Sequence, residues 1–216
     1  MKNTEIYFIR HGESHANVMH YLAGAIDVPL TDLGVDQAKA TASALADVDF
    51  DAIYSSPLSR AYDTASAHAV LRGLQVKTHD GLRELSLGEW EGVSVSDIIA
   101  RYGIDEYEKG WRDSFGVYQV PGGEIVAECG RRVFEAVREI ALANLGGRVL
   151  IVSHGAALRL FWSIISGIAP EDIARSLPFP SNASYSVAEF DGEKFTPREF
   201  SVDGHLASVG ITKVDW

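Results

Sequence analysis

The stretch EIYFIRHGES, Glu5 to Ser14, decides how the rest of the chain is read. Ile6, Tyr7, Phe8 and Ile9 form a short continuous apolar run, the pattern of a buried strand. Arg10 and His11 follow with no polar spacer. Gly12 then permits a sharp turn or a close approach of backbone to a neighbouring segment. A strand that hands cationic groups to a turn is a common place for an anion site in α/β proteins. The same arrangement returns in RVLIVSHGAALR, Arg148 to Arg159, where the strongest apolar run of the chain ends in His154 and a glycine.

Between and around these two runs, strand and helix patterns alternate. A polar loop is expected to run to Leu30. Thr31 reads as the N-cap of a helix to about Ala46, with Leu33, Ala38, Ala42 and Leu45 on one stripe. A strand is expected at Ala52–Ser55, a helix from Leu58 to about Leu71 ending at Gly73, and a short strand at Gln75–Thr78. Val93–Tyr102 reads as a helix stopped by Gly103, Glu124–Asn144 as a helix, and Ala156–Ile165 as another. Two late strands, Tyr185–Phe190 and Lys194–Phe200, form a hairpin turning at Asp191 and Gly192. There is no internal repeat, low-complexity tract or Ser/Pro linker. Alternation of this kind predicts a three-layer α/β/α fold, a mostly parallel central sheet with helices on both faces. One domain, 1–216, is expected. The stretch Ile104–Gly123 lacks a clear period and carries Trp111, Phe115 and Tyr118, so a cap or lid insertion is expected at about 93–123.

The bulk numbers narrow the function classes. At 216 residues, 46% apolar and 23% charged, the chain is an ordinary globular length and composition. A single cysteine, Cys129, excludes an intrachain disulfide. No apolar run approaches a membrane span, and MKNTEIYF lacks the apolar core of a signal peptide, so a cytoplasmic location is expected. A net charge of -11 opposes nucleic acid and anionic membrane as partners. An anionic substrate would need a local cluster of arginines, and arginine outnumbers lysine 13 to 6. A homodimer is left open.

In a mostly parallel sheet the ligand sits beyond the carboxyl ends of the strands. Three strand ends carry chemistry there: Arg10 and His11, then AIYSSPLSR leading to Arg60, then His154. LRELSLGEWEG places Glu84 at the same edge if Leu82 and Leu85 point inward. Singly, each has a plain reading as a solvated turn or helix residue; their convergence on one edge argues otherwise. A metal site built on His11, Glu13 and His15 fails because glycine stands where a zinc-protease helix needs glutamate. Two adjacent arginines would also repel a divalent cation. A serine hydrolase fails because VSHGAA has no glycine-flanked serine. Phosphoryl transfer fits. Arginine forks match phosphate oxygens, a neutral imidazole attacks phosphorus, and a carboxylic acid protonates the departing alkoxide.

RHGES, SSPLSRAYDTA, LRELSLGEWEG and VSHGAALR, in this order, resemble the histidine phosphatase superfamily with its phosphoglycerate-mutase-like fold. The resemblance implies His11 as nucleophile, Arg10, Arg60 and His154 as a phosphate pocket, and Glu84 as proton donor. It implies an Asn17 amide on the phosphate, leaves the part of Ser14 undefined, and implies no metal and no organic cofactor. Its substrate would be a small phosphorylated metabolite. Mutases resemble NERHYG around the acid, whereas this chain reads RELSLG then EWEG, and HGAAL lacks the asparagine that follows His-Gly in mutases. VPGGE, Val120 to Glu124, is similar to the PGGE of many phosphatases, although Ile125 replaces the usual serine. KGWRDSF, in contrast, is similar to a mutase segment. The expectation is a phosphatase; a phosphoglycerate mutase and a phosphate-binding regulatory protein without chemistry are the alternatives. Tyr102, Tyr107, Lys109, Trp111, Arg112, Phe115 and Tyr118 would form either a cap over the cleft or a small satellite core.

Overall fold

The apolar runs form strands β1 (Thr4–Arg10), β2 (Ala52–Ser55), β3 (Val76–Thr78), β4 (Arg148–Ser153), β5 (Tyr185–Phe190) and β6 (Phe195–Val202). In the computed structural model, which describes residues 2–108, 119–169 and 172–213, they make one sheet in the order β3-β2-β4-β1-β5-β6. The first four are parallel to their neighbours, and β5 and β6 add an antiparallel hairpin. The sheet is mostly parallel, as expected, and is made mixed by the hairpin at one edge.

Side chains alternate across the pleat, so each strand feeds two cores. Ile6, Phe8, Val149 and Ile151 face helices α6 (Val126–Ala143) and α7 (Gly155–Ile165). Ile9, Ile53, Leu150 and Val152 face the opposite layer, with Ala61, Ala65 and Ala69 of α3 (Ser59–Arg72). Helix α2 (Asp32–Ala44) lies beside α3 and is capped by the Thr31 hydroxyl, which accepts from the Gly34 amide. Each fully buried Ile, Leu or Phe contributes about 1.5–3 kcal/mol. The sheet is thus a stiff base for whatever its ends carry.

Register places the two histidines side by side. Arg10 of β1 is paired with Ser153 of β4, so His11 and His154 leave adjacent strands at the same level. The His11 amide donates to the Ser153 carbonyl at 3.0 Å, extending the ladder by one rung.

Some elements escaped the sequence pattern. His15–Met19, expected as loop, is a short helix α1. The aperiodic stretch after Gly103 begins with α5 (Ile104–Glu108), which follows α4 (Val95–Tyr102). Tyr107 is buried against Trp90 at a ring separation of 6.0 Å, and Tyr102 lies at the same separation on Trp90. Tyr107 belongs to the core that α6 and α7 share with the sheet, Tyr102 is exposed at its edge, and neither lines the cleft. Lys109, Trp111, Arg112, Phe115 and Tyr118, with all of KGWRDSF, lie outside the described residues. No helix among the described residues is long and apolar enough to cross a membrane.

Candidate active site

His11 is 4% exposed at the floor of a cleft. Its Nδ1 lies 2.7 Å from the Gly12 carbonyl oxygen. A carbonyl only accepts, so Nδ1 carries the proton and Nε2 keeps its lone pair. Burial, then Arg60 and Arg10, hold the imidazole pKa well below its ordinary value. The ring is neutral at pH 7. Gly12 is there for close approach. A Cβ on it would overlap the Gly34 carbonyl oxygen, and a Cβ on Gly34 would overlap the Glu13 carbonyl oxygen. The loop after β1 and the first turn of α2 therefore lie backbone on backbone.

Two arginines face the same cleft. Arg10 is 3% exposed and donates through Nη1 to the Pro180 carbonyl at 2.6 Å. Its Nε is buried with no hydrogen-bond partner. Burial lowers its pKa to about 10, against the pull of Glu84, so it remains a cation. Arg60, in the first turn of α3, is 1% exposed and donates to the carbonyls of Ile26 (2.8 Å) and Gly24 (2.9 Å). Those bonds pin the wall segment Tyr21–Ile26 to the guanidinium.

His154 stands behind His11, with ring centroids 5.2 Å apart. It is fully buried, and alone among the residues predicted for the site it does not line the cleft. Its Nε2 meets Ser56 Oγ at 2.7 Å, and its Nδ1 is buried without a partner. Burial, Arg60, His11 and Arg10 push its pKa well below the usual value, so it too is neutral. Glu84 sits on the opposite wall, against the first turn of α7. Its Oε1 accepts from the amides of Leu85 and Ala157, both at 2.9 Å, and its Oε2 from Ala156 at 3.2 Å. Asn17 of α1 and Ser14 line the cleft as well, and the Ser14 hydroxyl donates to Asn17 Oδ1 at 2.9 Å. The cleft encloses about 50 Å³ above this polar floor and is open to solvent beyond it. Beyond the polar floor its wall is Tyr21, Leu22, Leu85, Leu87 and Phe179. Among the described residues, no three His, Cys, Asp or Glu side chains are grouped to hold a metal ion.

The model of the histidine phosphatase superfamily (branch 1) matches residues 6–203. The chain belongs to the histidine phosphatase superfamily. It is 30% identical over 203 residues to phosphoserine phosphatase 1 of Hydrogenobacter thermophilus, covering 94% of each protein. It is 31% identical to a probable phosphoglycerate mutase, GpmB, of Yersinia pestis, over 76% of this chain and 75% of that one. A solved mycobacterial glucosyl-3-phosphoglycerate phosphatase superposes with a TM-score of 0.83 at 26% identity, over 94% of this chain and all (100%) of that one. The protein is a phosphoric monoester hydrolase of this superfamily.

The histidine phosphatase site also depends on residues that the sequence reading did not single out. Ser56 holds His154, and Thr64 Oγ1 accepts from the Gly12 amide at 3.0 Å. Glu91 Oε1 accepts from the amides of Ala25 (2.9 Å) and Leu87 (2.8 Å), tying one cleft wall to the other. Arg132 of α6 pairs with Glu124 and donates to the carbonyls of Gly81 (2.9 Å) and Arg83 (3.0 Å), bracing the loop that carries Glu84. Glu124, a carboxylate that the phosphate chemistry might have drawn on, is committed to Arg132 and does not line the cleft. Asn182 reaches the His11 carbonyl from across the fold at 3.0 Å. Ser56 and Thr64 lie within SSPLSRAYDTA and Glu91 within LRELSLGEWEG, whereas Arg132 and Asn182 lie outside every motif.

Proposed function

We propose that this protein hydrolyses a small phosphate monoester through a phosphohistidine on His11, with no metal or organic cofactor, in the cytoplasm. One observation carries the reading: a neutral His11, its Nδ1 held by the Gly12 carbonyl, lies beside two buried arginines in one cleft. Arg10 and Arg60 neutralise the phosphate dianion, and the Asn17 amide adds a donor. An orphaned buried donor costs about 1–3 kcal/mol. Arg10 Nε is such an atom on a residue that lines the cleft, and a phosphate oxygen would satisfy it.

In the first step the lone pair of His11 Nε2 forms the N–P bond as the ester P–O bond breaks. The departing alkoxide takes a proton from Glu84, whose Oε2 has the single, longer amide contact. In the second step Glu84 removes a proton from water, the hydroxide attacks phosphorus, and the N–P bond breaks to release inorganic phosphate and neutral His11. His154, with Nε2 on Ser56, stands behind His11 and backs the ring of the nucleophile. Segment 93–123 is the cap of a single domain in this reading. Its base meets the cleft wall, where the Leu22 amide donates to the Val93 carbonyl at 3.1 Å.

Similarity to GpmB favours a second reading, isomerisation of phosphoglycerate. The test is incubation with 3-phosphoglycerate, a trace of the 2,3-bisphosphate and a panel of phosphorylated metabolites, in excess EDTA. Net phosphate release is expected, with acid-labile, base-stable label trapped on His11 and no turnover in His11→Ala. Equilibration of 2- and 3-phosphoglycerate without phosphate release favours the mutase. Label on His154, or full activity in His11→Ala, overturns the assignment of the nucleophile.

A further inference from the structure

Asn182 lies between β4 and β5 in sequence, far from every motif, yet is fully buried against the catalytic loop. Its Nδ2 donates to the carbonyl of His11 (3.0 Å), the carbonyl of Gly12 (3.2 Å) and Asn17 Oδ1 (3.2 Å). Three acceptors around one nitrogen leave no doubt which way the amide points. Turned over, its oxygen would face three oxygens with no proton between them. The orientation is kept even though Oδ1 is left buried and without a partner.

The consequence falls on Asn17. Its Oδ1 accepts from the Ser14 amide and the Ser14 hydroxyl, both at 2.9 Å, and from Asn182. Three donors on Oδ1 fix the Asn17 amide too, and turn its NH₂ group to the cleft it lines. Asn182 also fills a second acceptor direction on the Gly12 carbonyl, the group that holds His11 Nδ1–H. The backbone beside it is built for this contact. Ala183 takes a left-handed conformation (φ 55°), uncommon for a residue with a Cβ. Its amide donates to the carbonyls of Arg10 (3.0 Å) and His11 (3.2 Å), and the Asn182 amide donates to Thr212 (3.1 Å).

We infer that Asn182 is a positioning residue that sets the donor face of Asn17 toward the phosphate and fixes the Gly12 carbonyl under the nucleophile. The inference rests on the phosphatase reading for the identity of the anion, and its test is a binding measurement that needs no turnover. Affinity for inorganic phosphate is measured on the full chain for the wild type, Asn17→Ala, Asn182→Ala and Asn17→Ala/Asn182→Ala. Asn182→Asp serves as an isosteric variant that keeps the packing and removes the donor.

Asn182→Ala and Asn182→Asp are each expected to weaken phosphate binding by about tenfold or more, the worth of a charge-assisted hydrogen bond. In the Asn17→Ala background the further loss is expected to stay within about twofold, because the amide through which Asn182 acts is gone. A purely structural role moves melting temperature but gives losses that multiply. Multiplying losses, or unchanged phosphate affinity in both Asn182 variants, overturn the inference. A wild type that binds phosphate and shows the coupling yet hydrolyses no ester overturns the phosphatase reading and leaves Asn182 in place.

Discussion

His68 offers a sharp test of how burial governs this fold. It sits on α3, is fully buried, and neither ring nitrogen has a hydrogen-bond partner. Burial, helped by Arg72 and His205, lowers its pKa from 6.5 to about 3. The unfolded chain therefore binds a proton below about pH 6.5, while the folded chain refuses it until about pH 3. Since the unfolded state holds more protons in that window, stability rises with pH and is lost as pH falls through it. Each pH unit is worth about 1.4 kcal/mol, so this one side chain accounts for about 5 kcal/mol between neutral pH and pH 3. His11 and His154, also depressed by burial and by arginines, steepen the same limb. Replacing His68 by leucine removes the proton site and two orphaned nitrogens together. Urea unfolding at half-unit steps from pH 4 to 7.5 should show a shallower dependence for His68→Leu, by about 1.4 kcal/mol per pH unit below pH 6. The variant should also be no less stable than wild type at pH 7.5. Parallel curves for the two proteins would show that the folded state does protonate His68, and that burial does not exclude the charge.

General acid catalysis is worth about 10²–10⁴ in rate, and an alkoxide needs it where a nitrophenolate does not. Glu84→Gln should lower turnover of an alkyl phosphate by that factor and leave the p-nitrophenyl phosphate burst much less affected; equal loss of burst rate on both would remove Glu84 from the acid role. Arg132→Met should release the Glu84 loop from α6, and a displacement near 1 Å can cost up to about 10²-fold in rate. Stopped-flow phosphorylation should show that loss falling on alkyl esters more than on p-nitrophenyl phosphate, and equal losses would mean that Arg132 supports the fold at large.

Sequence alone was enough for the layered sheet and for most of the groups in the cleft. Short continuous apolar runs mark β1 and β4, and the carboxyl-end rule turns the next residues, Arg10, His11 and His154, into candidates. Arg60 followed from the end of the second strand and Glu84 from Leu82 and Leu85 pointing inward, and the motifs read in order supplied their roles. Helix α1 was missed because five residues, HANVM, are too few to show a 3.6-residue stripe. The antiparallel hairpin was legible as two strands, but its place beside β1 was not, since nothing local says which edge a hairpin joins.

What tertiary structure decided was the company each group keeps. His154 and His11 reach the same level only because β4 pairs with β1 in one register, with Arg10 opposite Ser153. The Pro180 carbonyl that holds Arg10, the Asn182 amide under His11 and the Gly34 backbone against Gly12 all come from distant segments. Such contacts carry no periodicity and no spacing, because a hydrogen bond or a backbone contact specifies distance in space and leaves separation along the chain unconstrained. Apolar runs write the layers into the sequence; the burial that lowers the basicity of His11, and the approach of Arg60 to it, exist only once those layers have packed.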